Sequence, residues 1–347
     1  MSSRLTPMEE NPIARFNLNI DGTNPDIELV TMNACALTLQ EQFEKTHQKP
    51  NDTLLAELDD PKILVDAVSG QQFSVLYLNR FAKGRPIIKA LSWSVNHSTH
   101  SGAREEAMQT AIQTSRPLWV INNLSIGSSK LTRDQRKSLE SSEGFSAIAR
   151  PLLAALKDRC IDEIDIDGTS MGGRLAAALA ALASNYGIRV CNVVIIDPPG
   201  FENKTLRTIT LDFVGEDARL TKYVEFSHEP VVLAKKEKPV GSVRFFFRLA
   251  RVDIRGVFKS YTKAMAKETL PLDILAALKT QPGMYITMII GTGSNISSPK
   301  KVMKFHCLLP GELKPRFRLK LLPGDTHALG GGSSKRIAWH IKQALQA

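Results

Sequence analysis

The sequence has few cysteines, and they do not have the spacing of a metal site. Cys35, Cys160, Cys191 and Cys307 are widely separated in a chain of 347 residues, whereas cysteine-rich metal sites place their ligands in close pairs. Cys160 and Cys191 fall in stretches that we interpret as packed in the core. We therefore expect buried free thiols in a reducing compartment.

Long hydrophobic runs are also missing. The first thirty residues do not combine a basic start with an apolar stretch, the pattern of a secretory signal. No segment approaches the roughly 20 apolar residues of a membrane span, and Arg244 and Arg248 interrupt the longest candidate, residues 240–250. These two absences predict a cytoplasmic protein.

The chain carries no nucleic-acid-binding motif, although it is basic. It has 45 Lys and Arg against 35 Asp and Glu, a formal net charge of +10. This balance favours contact with anionic surfaces, but no basic strand is interleaved with aromatic residues, so we expect no nucleic-acid partner. With 43% hydrophobic residues, the chain is long enough for one large domain with an insertion, or for two domains. No feature predicts an oligomeric state.

Hydrophobic patterns predict alternating strands and helices from residue 61 onward. Ile63–Val68 and Phe73–Leu78 flank Ser69-Gly70 and predict a hairpin. Further strands are predicted at 86–95, 117–121, 161–166, 190–196, 284–290 and 317–322, and helices at 102–114, 145–156, from residue 175 onward, and at 333–345. The alternation predicts an α/β fold with a mostly parallel central sheet and helices on both faces.

Two segments do not follow this alternation. We predict that residues 1–60 form an N-terminal extension. Apolar residues 16–20 and 27–30 lie on either side of Asp21-Gly22, a pattern that suggests a hairpin. Residues 201–282 predict a helical cap, or lid, inserted over the carboxyl edge of the sheet. The core would then comprise residues 61–200 and 283–347.

The predicted cap is strongly basic. From Lys235 to Lys279 it holds eleven Lys and Arg against four Asp and Glu, and residues 243–258 mix aromatic and cationic side chains at near-helical spacing. A helix with its apolar face on the core and its arginines in solvent accounts for this pattern. The alternative hypothesis is a lid that attracts an anionic or acyl-chain substrate or rests on an anionic membrane surface.

A six-residue stretch, GTSMGG at 168–173, separates a predicted strand from an alanine-rich helix. A tight strand-to-helix turn strains its central residue and needs neighbours without side chains, which Gly168 and Gly172 provide. The start of the helix would offer N–H groups to an oxyanion, with Met171 N–H as the first donor. We interpret Ser170 as a nucleophile; the alternative is a glycine-rich packing turn with a capping serine.

This stretch resembles the nucleophile elbow of the α/β-hydrolase superfamily. The resemblance covers residues 62–200 and 284–346 in consistent order. It implies the α/β-hydrolase fold and a serine hydrolase that cleaves a carboxylic ester or related acyl bond through an acyl-enzyme intermediate. The implied substrates are small-molecule or lipid-like acyl esters, and neither a cofactor nor a metal is implied.

The resemblance also points to the partners of Ser170. The family places its histidine in the loop after the last strand, which makes His327 the base. Its acid usually follows the penultimate strand, where this chain has Ser294 and Asn295, and neither can carry a negative charge. Asp197 is our first choice because it resembles the acid position of pancreatic-type lipases; Asn295 as a neutral orienter and Asp325 are the alternatives.

The second oxyanion donor is expected in the loop after the strand at 86–95. The family often has His-Gly there, whereas this chain has His97 followed by Ser98, so a backbone N–H of Asn96, His97 or Ser98 is the candidate. The missing carboxylate at Ser294 and Asn295 supports a different class of function, a catalytically impaired binding protein with the hydrolase fold. A third hypothesis is a basic module whose cap engages nucleic acid or membrane.

Overall fold

A computed structural model describes residues 27–29, 52–92, 97, 101–124, 130–213, 215–216, 257–327 and 334–346. The strands in these ranges are β1 (Ile27–Leu29), β2 (Lys62–Val65), β3 (Gln72–Leu78), β4 (Ile87–Ala90), β5 (Leu118–Ile121), β6 (Glu163–Thr169), β7 (Arg189–Ile196), β8 (Tyr285–Gly291) and β9 (Phe317–Leu322). The helices are α1 (Asp52–Leu58), α2 (Ser101–Thr114), α3 (Arg133–Glu140), α4 (Ser146–Lys157), α5 (Met171–Leu182), α6 (Val257–Met265), α7 (Leu270–Thr280), α8 (Pro299–Leu308) and α9 (Ser334–Gln346). Residues 206–213 and 215–216 are also helical.

The strands form one nine-stranded sheet in the order β1-β9-β8-β7-β6-β4-β5-β3-β2. Only β3 runs antiparallel to its neighbours, β2 on one side and β5 on the other. The predicted hairpin is confirmed, since Leu64 lies opposite Phe73 and Gly70 adopts a φ of 68° in the turn, which suits glycine. The mostly parallel sheet is confirmed as well.

Apolar residues cover both faces of the sheet. One buried cluster joins the sheet to α4, α5 and α7, and a second joins its opposite face to α2 and α9. Strands β7 and β8 are buried along most of their length, because in a parallel sheet helices cover both sides of the central strands. Each fully buried Leu or Ile side chain in these clusters contributes roughly 1.5–3 kcal/mol to folding.

Strand β6 carries buried acidic residues among its isoleucines. Asp165 pairs with Arg116 at 2.5 Å and Arg85 at 3.2 Å, and Asp167 pairs with Lys89 at 2.5 Å. Burial by itself would lower the pKa of Lys89, but Asp167 and Glu106 outweigh it and raise the pKa above its usual value. The two buried aspartates of this strand are therefore partners in ion pairs inside the protein.

The structure corrects or extends several sequence predictions. Cys160 is exposed and Cys191 is half-buried, so the expectation of two buried thiols is wrong: Cys160 lies in the turn after α4 at a φ of 56°. Helices α1, α3 and α8 were not predicted. Helix α3 begins with a capping box: the Thr132 hydroxyl accepts from Gln135 N–H, and the Gln135 side chain accepts from Thr132 N–H. The sequence signal for this cap is a threonine followed three residues later by a glutamine.

The ends of the predicted domains are only partly described. Strand β1 pairs in parallel with β9, so residues 27–29 belong to the central sheet, whereas residues 16–20 of the hinted hairpin lie outside the described residues. Residues 217–256 of the predicted cap also lie outside them. Helix α7, at the end of the predicted cap, packs on α5. The boundaries at 60, 200 and 282 remain predictions.

None of the helices in the described ranges is both long enough and apolar enough to span a bilayer.

Candidate active site

The turn between β6 and α5 holds Ser170 in a strained backbone conformation. Its φ is 56° and its ψ is −123°, a region that a residue with a side chain occupies only when its surroundings enforce it. A Cβ atom at Gly168 would overlap the Gly172 carbonyl, and one at Gly172 would overlap the Ala90 carbonyl of β4. The two glycines therefore allow the close approach that directs Ser170 out of the sheet edge.

The neighbouring strand β7 ends in a second strained residue. Asp197 has a φ of 44°, and its N–H donates to the Ile289 carbonyl of β8 at 2.9 Å. Ser170 N–H donates in turn to the Ile196 carbonyl at 2.7 Å. The ends of β6, β7 and β8 are thereby tied together at the carboxyl edge of the sheet, the usual position of binding sites in α/β proteins.

His327 reaches this edge from the loop after β9. Gly293 N–H donates to the Asp325 carbonyl at 2.8 Å, and Gly324 N–H donates to Thr292 Oγ1 at 2.8 Å. A side chain at Gly291 would overlap the Asp325 carbonyl. The loops after β8 and β9 consequently run side by side, and the second carries His327 towards Ser170 and Asp197.

Two hydrogen bonds join the three side chains. His327 Nε2 lies 2.8 Å from Ser170 Oγ, and His327 Nδ1 lies 2.6 Å from Asp197 Oδ2. An ionised carboxylate can only accept, so a neutral ring that donates from Nδ1 to Asp197 leaves Nε2 to accept from the serine hydroxyl. We refer to these residues as the Ser170–His327–Asp197 chain.

A serine at the usual acid position takes part in this arrangement. Ser294 Oγ donates to Asp197 Oδ2 at 2.6 Å, so the same oxygen accepts from both Ser294 and His327. Asp197 is fully buried, and its other oxygen, Oδ1, has no hydrogen-bond partner within the part of the chain that is described. The sequence showed that Ser294 stands where the family has a carboxylate, but it did not indicate that Ser294 donates to Asp197.

The two alternative acids have other contacts. The Asp325 carboxylate binds Arg336 through both oxygens, at 2.6 and 3.1 Å. Asn295 contributes main-chain bonds: its N–H donates to Glu216 Oε1 at 2.6 Å, and its carbonyl accepts from Lys204 Nζ at 2.8 Å. The carboxylate that meets the His327 ring is that of Asp197.

The residues predicted as oxyanion donors have different surroundings in the structure. Met171 is the first residue of α5, so no carbonyl one turn earlier in the helix accepts from its N–H. His97 N–H donates to Asn122 Oδ1 at 3.0 Å, and its ring nitrogen Nε2 lies 3.2 Å from Ser74 Oγ. An N–H bound to Asn122 is not available to an oxyanion. Asn96 and Ser98 lie outside the described residues.

The burial of His97 affects its protonation. The side chain of His97 is completely buried, and burial lowers its pKa below the usual histidine value, which favours the neutral ring. His97 is therefore a packed, hydrogen-bonded side chain of the loop.

Helical residues of the predicted cap, 206–213 and 215–216, border the site, and the sequence did not predict their contacts with His327. The Phe213 ring meets the His327 ring edge-on, with centroids 5.9 Å apart, and the Glu216 carboxylate accepts from His327 N–H at 3.0 Å. This helix lies in a segment without the strand–helix alternation, so no local pattern pointed to these contacts.

The Ser170–His327–Asp197 chain has the geometry required for nucleophilic catalysis. A hydroxyl bonded to an imidazole that a carboxylate orients can attack an acyl carbon, because the imidazole accepts the proton as the bond forms. The start of α5 adds the positive end of a helix dipole beside the serine. Within the described ranges, no three His, Cys, Asp or Glu side chains cluster in a way that would bind a metal ion.

No protein-family model and no curated protein matches this chain in sequence. Solved structures do match it. A bromoperoxidase from Bacillus anthracis is 16% identical, with a TM-score of 0.52, over 83% of this chain and 100% of that chain. An aryl esterase from Burkholderia cenocepacia, described as putative, is 14% identical, with a TM-score of 0.52, over 83% of this chain and 100% of that chain.

A membrane phospholipase A, described as a bacterial virulence factor, matches over a larger part of the chain. It is 12% identical, with a TM-score of 0.56, over 91% of this chain and 97% of that chain. At these identities the likeness establishes the fold alone, because proteins with one fold carry out many different reactions.

Proposed function

We propose that this chain, which has the α/β-hydrolase fold, is a serine hydrolase that cleaves a carboxylic ester or a related acyl bond. The observation that carries the proposal is the pair of hydrogen bonds from His327, at 2.8 Å to Ser170 and at 2.6 Å to Asp197. The three residues follow three different strands, so the arrangement is not the result of local chain geometry. An aryl esterase and a phospholipase among the similar structures support an ester as the scissile bond.

The proposed reaction has two halves. Ser170 Oγ attacks the acyl carbon while His327 Nε2 takes its proton, and the imidazolium then protonates the leaving group, which departs and leaves the acyl group on Ser170. A water molecule next attacks the acyl-enzyme, gives its proton to His327, and releases the acid as the proton returns to Ser170. Asp197 holds the ring in the required tautomer and stabilises its positive charge.

Negative charge develops on the carbonyl oxygen in both halves. We propose Met171 N–H as one donor to this oxygen, because it lies at the positive end of α5. The second donor is proposed to come from the loop after β4, where Asn96 and Ser98 remain candidates. Removing one such donor typically lowers kcat by about 100- to 1,000-fold.

The alternative function, an impaired binding protein, arose from the missing carboxylate at Ser294 and Asn295. A carboxylate at 2.6 Å from His327 Nδ1 removes that reason, so the hydrolase is the better-supported function. The bromoperoxidase among the similar structures shows that the fold does not by itself decide the reaction, and the proposal therefore depends on the site.

A fluorophosphonate probe tests the proposal directly. The nucleophilic serine displaces fluoride and becomes phosphonylated, which intact-mass spectrometry detects. We expect the wild-type chain to gain the mass of one probe molecule less HF, and Ser170→Ala to gain none. A matched control is Ser260→Ala, which removes a buried serine whose hydroxyl donates to Glu140 and should label like the wild type. Well-folded wild-type protein that stays unlabelled would contradict the proposal.

A further inference from the structure

A buried carboxylate that the proposed reaction does not use joins the two loops of the site. Glu216 is 5% exposed. Its Oε1 accepts from Asn295 N–H at 2.6 Å, and its Oε2 accepts from His327 N–H at 3.0 Å. One side chain thus holds both the turn after β8 and the loop after β9.

Two further bonds between these loops lie nearer the sheet. Gly293 N–H reaches the Asp325 carbonyl and Gly324 N–H reaches Thr292, so both bonds precede His327 in its loop. The bond from Glu216 is made at the main chain of His327 itself. It therefore acts at the point where the loop delivers the imidazole.

The helix that carries Glu216 is anchored to the same loops by other contacts. Lys204 Nζ, just before this helix, lies 2.8 Å from Asp212 in the helix and 2.8 Å from the Asn295 carbonyl. Phe213, one turn before Glu216, packs edge-on against the imidazole. These contacts hold the helix, and with it Glu216, against the loops after β8 and β9.

We infer that Glu216 is a positioning residue that keeps the His327 imidazole between Ser170 and Asp197. The inference rests on the proposed function, because it assigns a role to Glu216 only through His327. Hydrogen bonds from N–H groups to a buried carboxylate are stronger than those to a neutral acceptor. A displacement of about 1 Å at a reacting group can cost about 100-fold in rate.

Substitution of Glu216 tests the inference. In Glu216→Ala, both N–H groups lose their acceptor, and we expect kcat for a p-nitrophenyl ester to fall about 10- to 100-fold while KM stays within about twofold. Glu216→Gln keeps one acceptor oxygen and nearly the same shape, so its kcat should lie between those of Glu216→Ala and the wild type.

Glu57 provides a matched control for lost stability. It is also 5% exposed, and its carboxylate also accepts from two main-chain N–H groups, those of Asn79 and Arg80, at 2.7 and 3.4 Å. Glu57→Ala should lower the Tm about as much as Glu216→Ala does, but leave kcat within about twofold of the wild type. The comparison separates a positioning role from a structural one.

Proton NMR reports the same geometry without turnover. A proton held between His327 Nδ1 and Asp197 gives a far-downfield resonance, which Asp197→Asn assigns by removing it. We expect this resonance to weaken or disappear in Glu216→Ala and to persist in Glu57→Ala. The inference is overturned if Glu216→Ala keeps both the resonance and a kcat within about twofold of the wild type, or if Glu57→Ala loses as much kcat.

Failure of the proposed function has a different signature. A wild-type chain whose Ser170 does not react with the fluorophosphonate would contradict the hydrolase proposal, while the resonance would still show whether Glu216 positions His327.

Discussion

Asp197 can meet His327 because the two strands that offer an acid position are adjacent. Strands β7 and β8 pair in parallel along five registered positions, so residues after their carboxyl ends lie next to each other. The turn after β8 contributes the Ser294 hydroxyl, which donates to Asp197 at 2.6 Å, and the turn after β7 contributes the charge. Asp197 therefore supplies the negative charge beside the imidazole, and Ser294, at the usual acid position, supplies a hydrogen bond to Asp197.

The assignment of Asp197 predicts the effect of a single-atom change. In Asp197→Asn, the amide can donate to Nδ1, which favours the imidazole tautomer that cannot accept the serine proton. We expect kcat for a chromogenic ester to fall about 1,000- to 10,000-fold, with the Tm nearly unchanged. Steady-state kinetics at saturating ester measures this directly.

Asn295→Ala is the matched control for Asp197→Asn. Among the described residues, the hydrogen bonds of Asn295 are made by its main chain, which alanine retains, so kcat should stay within about threefold of the wild type. If Asn295→Ala lost most of the activity and Asp197→Asn kept it, the role proposed for Asp197 would be wrong.

At the scale of elements, α9 carries an unusual buried group. This helix packs on α2, and its His340 is 1% exposed, with no hydrogen-bond partner for either ring nitrogen among the described residues. Burial, together with the nearby charges of Arg336 and Lys320, lowers the pKa of His340 to about 3. The helix therefore packs with a neutral imidazole.

This burial predicts a loss of stability in mild acid. The pKa of His340 is lower in the folded state than the value of about 6.5 expected after unfolding, so its contribution is intact above about pH 6.5. It is lost as the pH falls from there towards 3, by roughly 1.4 kcal/mol per pH unit. Between pH 7 and pH 5, the wild type should therefore lose about 2 kcal/mol more free energy of unfolding than His340→Leu, measured by urea denaturation.

A second variant on the same helix controls for packing. Ile341→Val removes one buried methyl group next to His340 but does not titrate. It should lower the free energy of unfolding by about 1 kcal/mol at both pH values. A pH dependence in His340→Leu equal to that of the wild type would show that His340 does not contribute to acid sensitivity.

At the scale of the whole molecule, the charge of +10 is unevenly distributed along the sequence. The excess of cations between Lys235 and Lys279 predicts attraction to anionic surfaces that salt weakens. We expect the chain to sediment with phosphatidylglycerol vesicles at about 50 mM salt, to be released at about 500 mM, and not to bind phosphatidylcholine vesicles.

Charge reversal tests whether the predicted cap is responsible. Replacing Arg244, Arg248 and Arg251 with Glu should abolish vesicle binding. The matched control replaces Lys300, Lys301 and Lys304 of α8, which are exposed, and changes the net charge equally. If both triple variants lose binding to the same extent, net charge alone explains the attraction and the cap has no special role.

Most of the fold could be predicted because its signals are local. The alternation of strands and helices, the hairpin at Ser69-Gly70 and the terminal helix each depend on the periodicity of neighbouring residues. Helix α1 was missed because it has only seven residues. Helices α3 and α8 do carry start signals, a capping box in α3 and Ser298 followed by Pro299 in α8, but neither has a long apolar stripe. The exposure of Cys160 was misjudged because Cys160 lies in the turn between α4 and β6, directly after three charged residues, and not in either packed element.

The sequence alone specifies the turn at Ser170, since only glycine can occupy positions 168 and 172 without overlapping the main chain. It also indicated His327 through its place after the last strand. The three-dimensional packing of the chain selects the carboxylate that meets that imidazole and the side chain that holds its loop. Asp197 lies 130 residues and Glu216 lies 111 residues before His327, and contacts at such separations depend on strand order and loop packing, which no local pattern encodes.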